Sequence, residues 1–201
     1  GIHSGFYNAY LSLKPQIEQI LAKSKPKSLW ITGHSLGGAL AVVCAYDLDP
    51  NPEHGIRGVI TFGQPMVTKR KLGDHFDKQF LGRFAHYVNA SDFVPRIPPT
   101  YSHCGSLVWF TDDGVMRSKP KRVMFAAESD KMNSAEDNGE EISAMSQEEF
   151  ERLQAEIRAA DAEPETAPDG TPLAKGNSPF IRDHGMQLYL ERIRGLINVK
   201  P

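Results

Sequence analysis

The run Gly33-His34-Ser35-Leu36-Gly37 constrains this chain more than any other stretch, because of what flanks it. Before it lies a short apolar segment, Ser28-Leu29-Trp30-Ile31-Thr32, with the character of a strand. After it comes Gly38-Ala39-Leu40-Ala41-Val42-Val43-Cys44-Ala45-Tyr46, a helix former rich in small residues. A strand that ends and a helix that begins on either side of one serine demand a very sharp turn. The serine at its apex is held in a backbone conformation that few residues tolerate. Side chains two positions to either side are expected to collide across the turn, which makes both Gly33 and Gly37 necessary. Such a turn aims the Ser35 hydroxyl away from the sheet, above the N-terminus of the following helix, and so presents a nucleophile. Gly37-Gly38-Ala39 lets that helix come close to the sheet.

Around this turn the pattern alternates between strand and helix. Residues 6–23 read as a helix, with Phe6, Tyr10, Leu13, Ile17, Ile20 and Leu21 near helical spacing and Pro15 predicting a kink or break. The first strand is residues 28–32, and the helix after the turn runs to about Asp47, stopped by Asp49-Pro50-Asn51-Pro52. The second strand is residues 58–62, followed by Gly63-Gln64-Pro65. Residues 69–80 form a short helix with Leu72, Phe76 and Phe80 on one face. Residues 84–89 are the third strand, leading into Ala90-Ser91-Asp92-Phe93-Val94-Pro95. Residues 106–110 and 122–125 read as later strands, paired in a hairpin around Asp112-Asp113-Gly114. A last amphipathic helix spans about Pro179 to Leu196, with Met186, Tyr189, Leu190, Ile193 and Ile197 inward. Strands joined by helices are βαβ units, so strands one to three should form a parallel sheet with right-handed crossovers. Sites in open parallel sheets gather beyond the carboxyl ends of the strands, where Ser35 and Asp92 both fall.

Two hundred and one residues suit a single domain, 1–201, and 40% hydrophobic residues are enough for a sizeable core. The net charge of −2 hides an asymmetry. Residues 128–170 hold 14 of the 25 acidic residues and only Lys131, Arg152 and Arg158 among the 23 basic ones, a net of −11 against +9 elsewhere. Residues 128–178 are therefore read as an acidic, partly disordered insertion. It carries one amphipathic helix, 147–160, opened by the capping box Ser146-x-x-Glu149 and striped by Phe150, Leu153 and Ile157. That stripe could fold over the site as a lid, cover part of the basic body, or stay in solvent. Cys44 and Cys104 stand far apart in the pattern and read as two buried free thiols rather than a disulfide. No Cys/His metal spacing occurs, and no cofactor is expected. Neither a transmembrane run nor a signal-peptide pattern is visible. The first residue is Gly1 rather than Met, so the localisation, secreted or cytoplasmic, is left unassigned. Basic residues are scattered without an arginine/aromatic pattern, which argues against nucleic-acid binding.

A serine hydroxyl needs a base to take its proton, normally His, and that His needs a carboxylate to fix its tautomer. A strand–Gly-x-Ser-x-Gly–helix unit is the nucleophile elbow of α/β hydrolases, in which the chain order is Ser, acid, His. Asp92 ends the second strand after the elbow strand and fits the acid. Asp47 and Asp49 lie at the far end of the elbow helix, Asp74 and Asp77 on an outer helix, and Asp112 is the reserve. Among the seven histidines, His34 is locked in the turn and expected to point elsewhere. His54, His75 and His86 fall on a turn, an outer helix and a strand interior, and His3 breaks the order. His103 and His184 remain. His184 is placed in the first turns of the closing helix, where the dipole favours a neutral imidazole. It is the preferred base, with His103 as a structural hydrogen-bonder.

Five segments in this order resemble the class 3, fungal-type lipases. They are Ile2-His3-Ser4-Gly5-Phe6, Thr32-Gly33-His34-Ser35-Leu36-Gly37-Gly38-Ala39, Phe62-Gly63-Gln64-Pro65, residues 88–95 with Pro98-Pro99, and Asp183-His184. The resemblance implies an α/β-hydrolase-like, mostly parallel sheet with flanking helices, carboxylic ester hydrolysis, and a lipid-like substrate met through transient contact with a lipid interface. It gives nucleophile, acid and base as Ser35, Asp92 and His184. The backbone N–H of Leu36 is then one oxyanion donor. The family carries upstream strands, a second oxyanion donor and a lid before the His-x-Gly-Phe segment. The expectation is thus of an N-terminally truncated domain, with one donor missing and a rate lower by about a hundred- to a thousandfold. The alternative is a weak or inert α/β-hydrolase-like protein that binds lipid or a partner. A serine peptidase or an acyltransferase could use the same three residues.

Overall fold

In a computed structural model the structure describes residues 1–49, 55–119, 148 and 179–198. The elements run α1 (Ser4–Ser24), β1 (Leu29–His34), α2 (Leu36–Leu48), β2 (Ile56–Phe62), α3 (Arg70–Gln79), β3 (Phe84–Asn89), β4 (Ser106–Phe110), β5 (Met116–Lys119), α4 (Pro179–His184) and α5 (Met186–Asn198). The five strands form one sheet in the order β1-β2-β3-β4-β5. The first four are parallel, and β5 returns antiparallel to β4. Crossover helices α2 and α3 join β1 to β2 and β2 to β3, and the carboxyl ends of the four parallel strands emerge on one side.

The side-chain alternation of each strand sorts residues between two faces. On one face Leu29, Ile31, Val59 and Phe84 pack with α2 and α3 into the main core. That core also takes Tyr10 from α1, Val42, Val43, Ala45 and Leu48 from α2, and Phe76 from α3. On the other face Phe62 and Tyr87 are register partners with ring centroids 5.2 Å apart, and Phe110 stacks on Tyr87 at 5.9 Å. Tyr189 of α5 meets Phe62 edge-on at 5.9 Å, which anchors the closing helix to the second face.

Several expectations are corrected by these elements. Pro15 does not end its helix, since α1 is continuous through it for 21 residues. Pro15 is exposed, so the carbonyl left without its N–H partner faces water rather than core. The hairpin turns at Asp112-Asp113-Gly114 as expected, but its second strand begins at Met116 rather than Arg122. Hydrogen bonds from Gly114 N to Thr111 O (2.8 Å) and from Thr111 N to Val115 O (2.9 Å) close the turn at once. The closing helix is two helices, because the chain breaks at Gly185. The expected strand at 122–125, the acidic insertion 128–178 with its helix at 147–160, and His54 lie outside the described residues, Glu148 apart. Cys44 and Cys104 form no disulfide and Cys104 is buried, as read, but Cys44 is only half-buried.

Candidate active site

Ser35 sits between β1 and α2 with φ 55° and ψ −127°, the strained apex that the turn demands. Its amide donates to Phe62 O of β2 at 3.0 Å, which ties the turn to the neighbouring strand. The steric demand falls on Gly33. A Cβ there would lie 2.1 Å from Gly37 O and 2.3 Å from Gly37 C, whereas a Cβ on Gly37 would meet nothing within 4 Å. The expectation for Gly37 therefore fails, because its missing side chain would point into open space. Gly38 supplies the close helix–sheet approach, its absent Cβ lying 3.2 Å from Gln64 Cβ and 3.3 Å from Gly33 O.

The expected base and acid both come to this turn. His184 Nε2 lies 2.8 Å from Ser35 Oγ, so the hydroxyl can donate to it. His184 Nδ1 lies 3.0 Å from both carboxylate oxygens of Asp92, to which an Nδ1–H donates. Together these contacts select the tautomer with its proton on Nδ1. Asp92 is 3% exposed, and its carboxylate accepts two further hydrogen bonds. Val94 N donates to Oδ1 at 3.0 Å and the Tyr189 hydroxyl to Oδ2 at 2.6 Å. Burial, and then the Asp92 carboxylate beside it, push the Tyr189 phenol above its ordinary range, so it stays a donor. Its oxygen accepts in turn from Asn89 N at 3.0 Å.

His184 is the last residue of α4, not a member of the first turns of a long helix, so the dipole argument for its neutrality does not hold. Side-chain contacts hold it instead. Asp183, 3% exposed, accepts from Ser91 N at 3.1 Å, while Asn89 Nδ2 donates to Asp183 O at 3.0 Å. His34, expected to point elsewhere, stacks on the His184 ring with centroids 4.7 Å apart and donates from Nε2 to His184 O at 2.7 Å. Burial lowers the His34 imidazole below its ordinary value, against the opposing pull of that hydrogen bond. Gly63, at φ +53°, leaves room for the acid and base. A Cβ there would sit 2.8 Å from Asp92 Oδ2 and 2.9 Å from His184 Nδ1.

The residues weighed against these stand elsewhere. His103 donates from Nε2 to Pro95 O and stacks on His86 at 4.5 Å, the structural role expected of it. Asp112 is exposed in the β4–β5 turn. Asp47 accepts from Tyr10 at 2.7 Å and Lys14 at 2.9 Å, and Asp77 accepts from Gly105 N at 2.6 Å. Leu36 occupies the first position of α2, where a helical N–H has no intrahelical acceptor and is open to an anion. Tyr189, Gly63, His34 and Asn89 were not singled out as site residues from the sequence. The available signals were a phenol within an apolar stripe and a glycine directly beyond a strand's carboxyl end.

Comparisons with known proteins agree on the fold. Residues 1–102 match the profile of the Lipase (class 3) family, just over half of the chain. The secreted mono- and diacylglycerol lipase LIP4 of Malassezia restricta is 36% identical over 115 residues, covering 54% of this chain and 38% of that protein. The matched part of the chain thus spans well under half the length of that relative. Among solved structures, a triacylglycerol lipase whose catalytic centre is formed by a serine protease triad is 28% identical at a TM-score of 0.50, covering 58% of this chain and 48% of the other. A fungal lipase, 20% identical, superposes with a TM-score of 0.53 over 75% of this chain and 56% of its own, a likeness of fold alone. The mostly parallel sheet with flanking helices is accordingly an α/β-hydrolase architecture. With the serine turn, the strand order and the profile in agreement, the chain belongs to the class 3 lipase family.

Proposed function

We propose that this chain is a carboxylic ester hydrolase acting on acylglycerol-type lipids through a Ser35–His184–Asp92 relay and an acyl-enzyme. The observation that carries the reading is the unbroken hydrogen-bond path from Ser35 Oγ to His184 Nε2 at 2.8 Å and from His184 Nδ1 to Asp92 at 3.0 Å. His184 takes the proton as Ser35 Oγ attacks the ester carbonyl carbon. Asp92 stabilises the imidazolium that forms, and the Leu36 N–H donates to the developing oxyanion. Collapse of the tetrahedral intermediate expels the alcohol, which receives the proton from His184. A water molecule then repeats the sequence on the acyl-enzyme and frees the acid. Lipid-like substrates are favoured because relatives are named mono-, di- and triacylglycerol lipases.

The test is hydrolysis of p-nitrophenyl butyrate by the wild type and Ser35→Ala. Loss of a nucleophile of this kind lowers kcat by about 10⁴-fold or more. Turnover that survives the substitution would refute the relay. A folded wild type that binds lipid vesicles without turnover would favour the binding-protein alternative.

A further inference from the structure

The segment that carries His184 is gripped at two consecutive carbonyl oxygens. Asn89 Nδ2, at the end of β3, donates to Asp183 O at 3.0 Å. His34 Nε2, at the end of β1, donates to His184 O at 2.7 Å. A carbonyl only accepts, so His34 carries its proton on Nε2. The same ring forms one wall beside the His184 imidazole, with centroids 4.7 Å and planes 29° apart. Tyr189 also meets the His34 ring, edge-on at 5.9 Å. An imidazole's reach is set by the backbone it hangs from and by the walls beside it. At residue 184 the elbow supplies both, from the residue that immediately precedes the nucleophile.

We propose that His34 is a positioning residue of the relay: by donating Nε2–H to the His184 carbonyl, it keeps His184 Nε2 on Ser35 Oγ. This rests on the reading of Ser35, His184 and Asp92 as a working triad. The glycine-flanked turn then has a second task besides presenting the serine, since it locks the base against the strand from which the nucleophile rises. A misplacement of the base by a fraction of a bond length is felt in kcat and hardly in substrate binding.

Two substitutions separate the donor from the ring. His34→Phe keeps a flat ring and removes the donor; His34→Gln keeps an N–H at similar reach and removes the ring. On p-nitrophenyl butyrate, His34→Phe is expected to lower kcat about tenfold, the scale of one lost hydrogen bond, with KM nearly unchanged. His34→Gln should recover most of that loss. A wild-type kcat in His34→Phe, or an equal loss in both variants, would overturn the proposal. Should His34→Phe fail to fold by far-UV circular dichroism, His34→Gln decides: near-wild-type kcat supports it, and a tenfold loss overturns it. A second readout does not depend on turnover. The low-field proton resonance of His184 Nδ1–H should broaden or shift in His34→Phe and return in His34→Gln, whereas an unchanged resonance in His34→Phe counts against positioning. If the wild type shows no Ser35-dependent turnover, the hydrolase reading fails, and this resonance alone decides the role of His34.

Discussion

Gly63 follows β2 at φ +53°, a conformation that favours glycine, and its missing side chain is the space that Asp92 and His184 occupy. Gly63→Ala should therefore push on Asp92 Oδ2 and His184 Nδ1 together. Steady-state kinetics is expected to show kcat lower by about tenfold to a hundredfold, in a protein that still melts cooperatively. Tyr189→Phe removes the donor to Asp92 Oδ2 and leaves the buried Asn89 N–H without its acceptor. Orphaning one such group costs about 1–3 kcal/mol, so calorimetry should find Tm lower by several degrees, with reduced kcat. An unchanged Tm would show that the phenol is not bonded as described. The candidates Ser35 and Asp92 were legible from strand ends, and the candidate His184 from the chemistry of proton transfer by elimination among the histidines. Gly63 and Tyr189 were not, because their roles depend on a backbone angle and on which face of the sheet the last helix covers.

At the scale of elements, the junction of α1 and α2 carries the pH dependence. Burial pushes the Cys44 thiol up to about 11 and the Tyr10 phenol above its usual range, while Asp47 raises Lys14. The folded protein thus holds protons that the unfolded chain releases from about pH 9 upward. Where the unfolded state binds fewer protons, stability falls as pH rises. Tm should accordingly drop between pH 9 and pH 11, and a level Tm across that window would contradict the buried junction. Cys44 should also resist alkylation by iodoacetamide at pH 8, where little thiolate exists. Continuity of α1 through the exposed Pro15 gives a further test. Pro15→Ala adds an N–H to the helix and should stabilise the protein by about 1–3 kcal/mol in urea denaturation. Destabilisation would mean that residue 15 prefers a break. The helix itself was readable from its periodicity, but its tolerance of proline was not, since that depends on which face meets water. The break at Gly185 was hidden similarly: apolar spacing continues across it, and the turn is fixed by hydrogen bonds from Gly185 N to Arg182 O and Leu188 N to Gly185 O.

For the molecule as a whole, the parallel order of β1 to β4 gathers the site, because every crossover returns the chain to the same end of the sheet. Ser35 follows β1, Gly63 follows β2 and Asp92 follows β3, while α4 brings His184 back to them. This much was foreseeable from alternating strands and helices. The return of the closing segment was foreseeable only in outcome: its contacts with Asn89, Ser91 and His34 join residues roughly 90 to 150 positions apart, which no local pattern encodes. In the proposed relay these distant residues make Ser35 a nucleophile. Labelling the folded protein with a fluorophosphonate and mapping the adduct by peptide mass spectrometry tests it most directly. A single adduct on Ser35 is expected, abolished in Ser35→Ala and strongly slowed in His184→Gln. A folded wild type that takes up no label, or takes it on another serine, would contradict the relay.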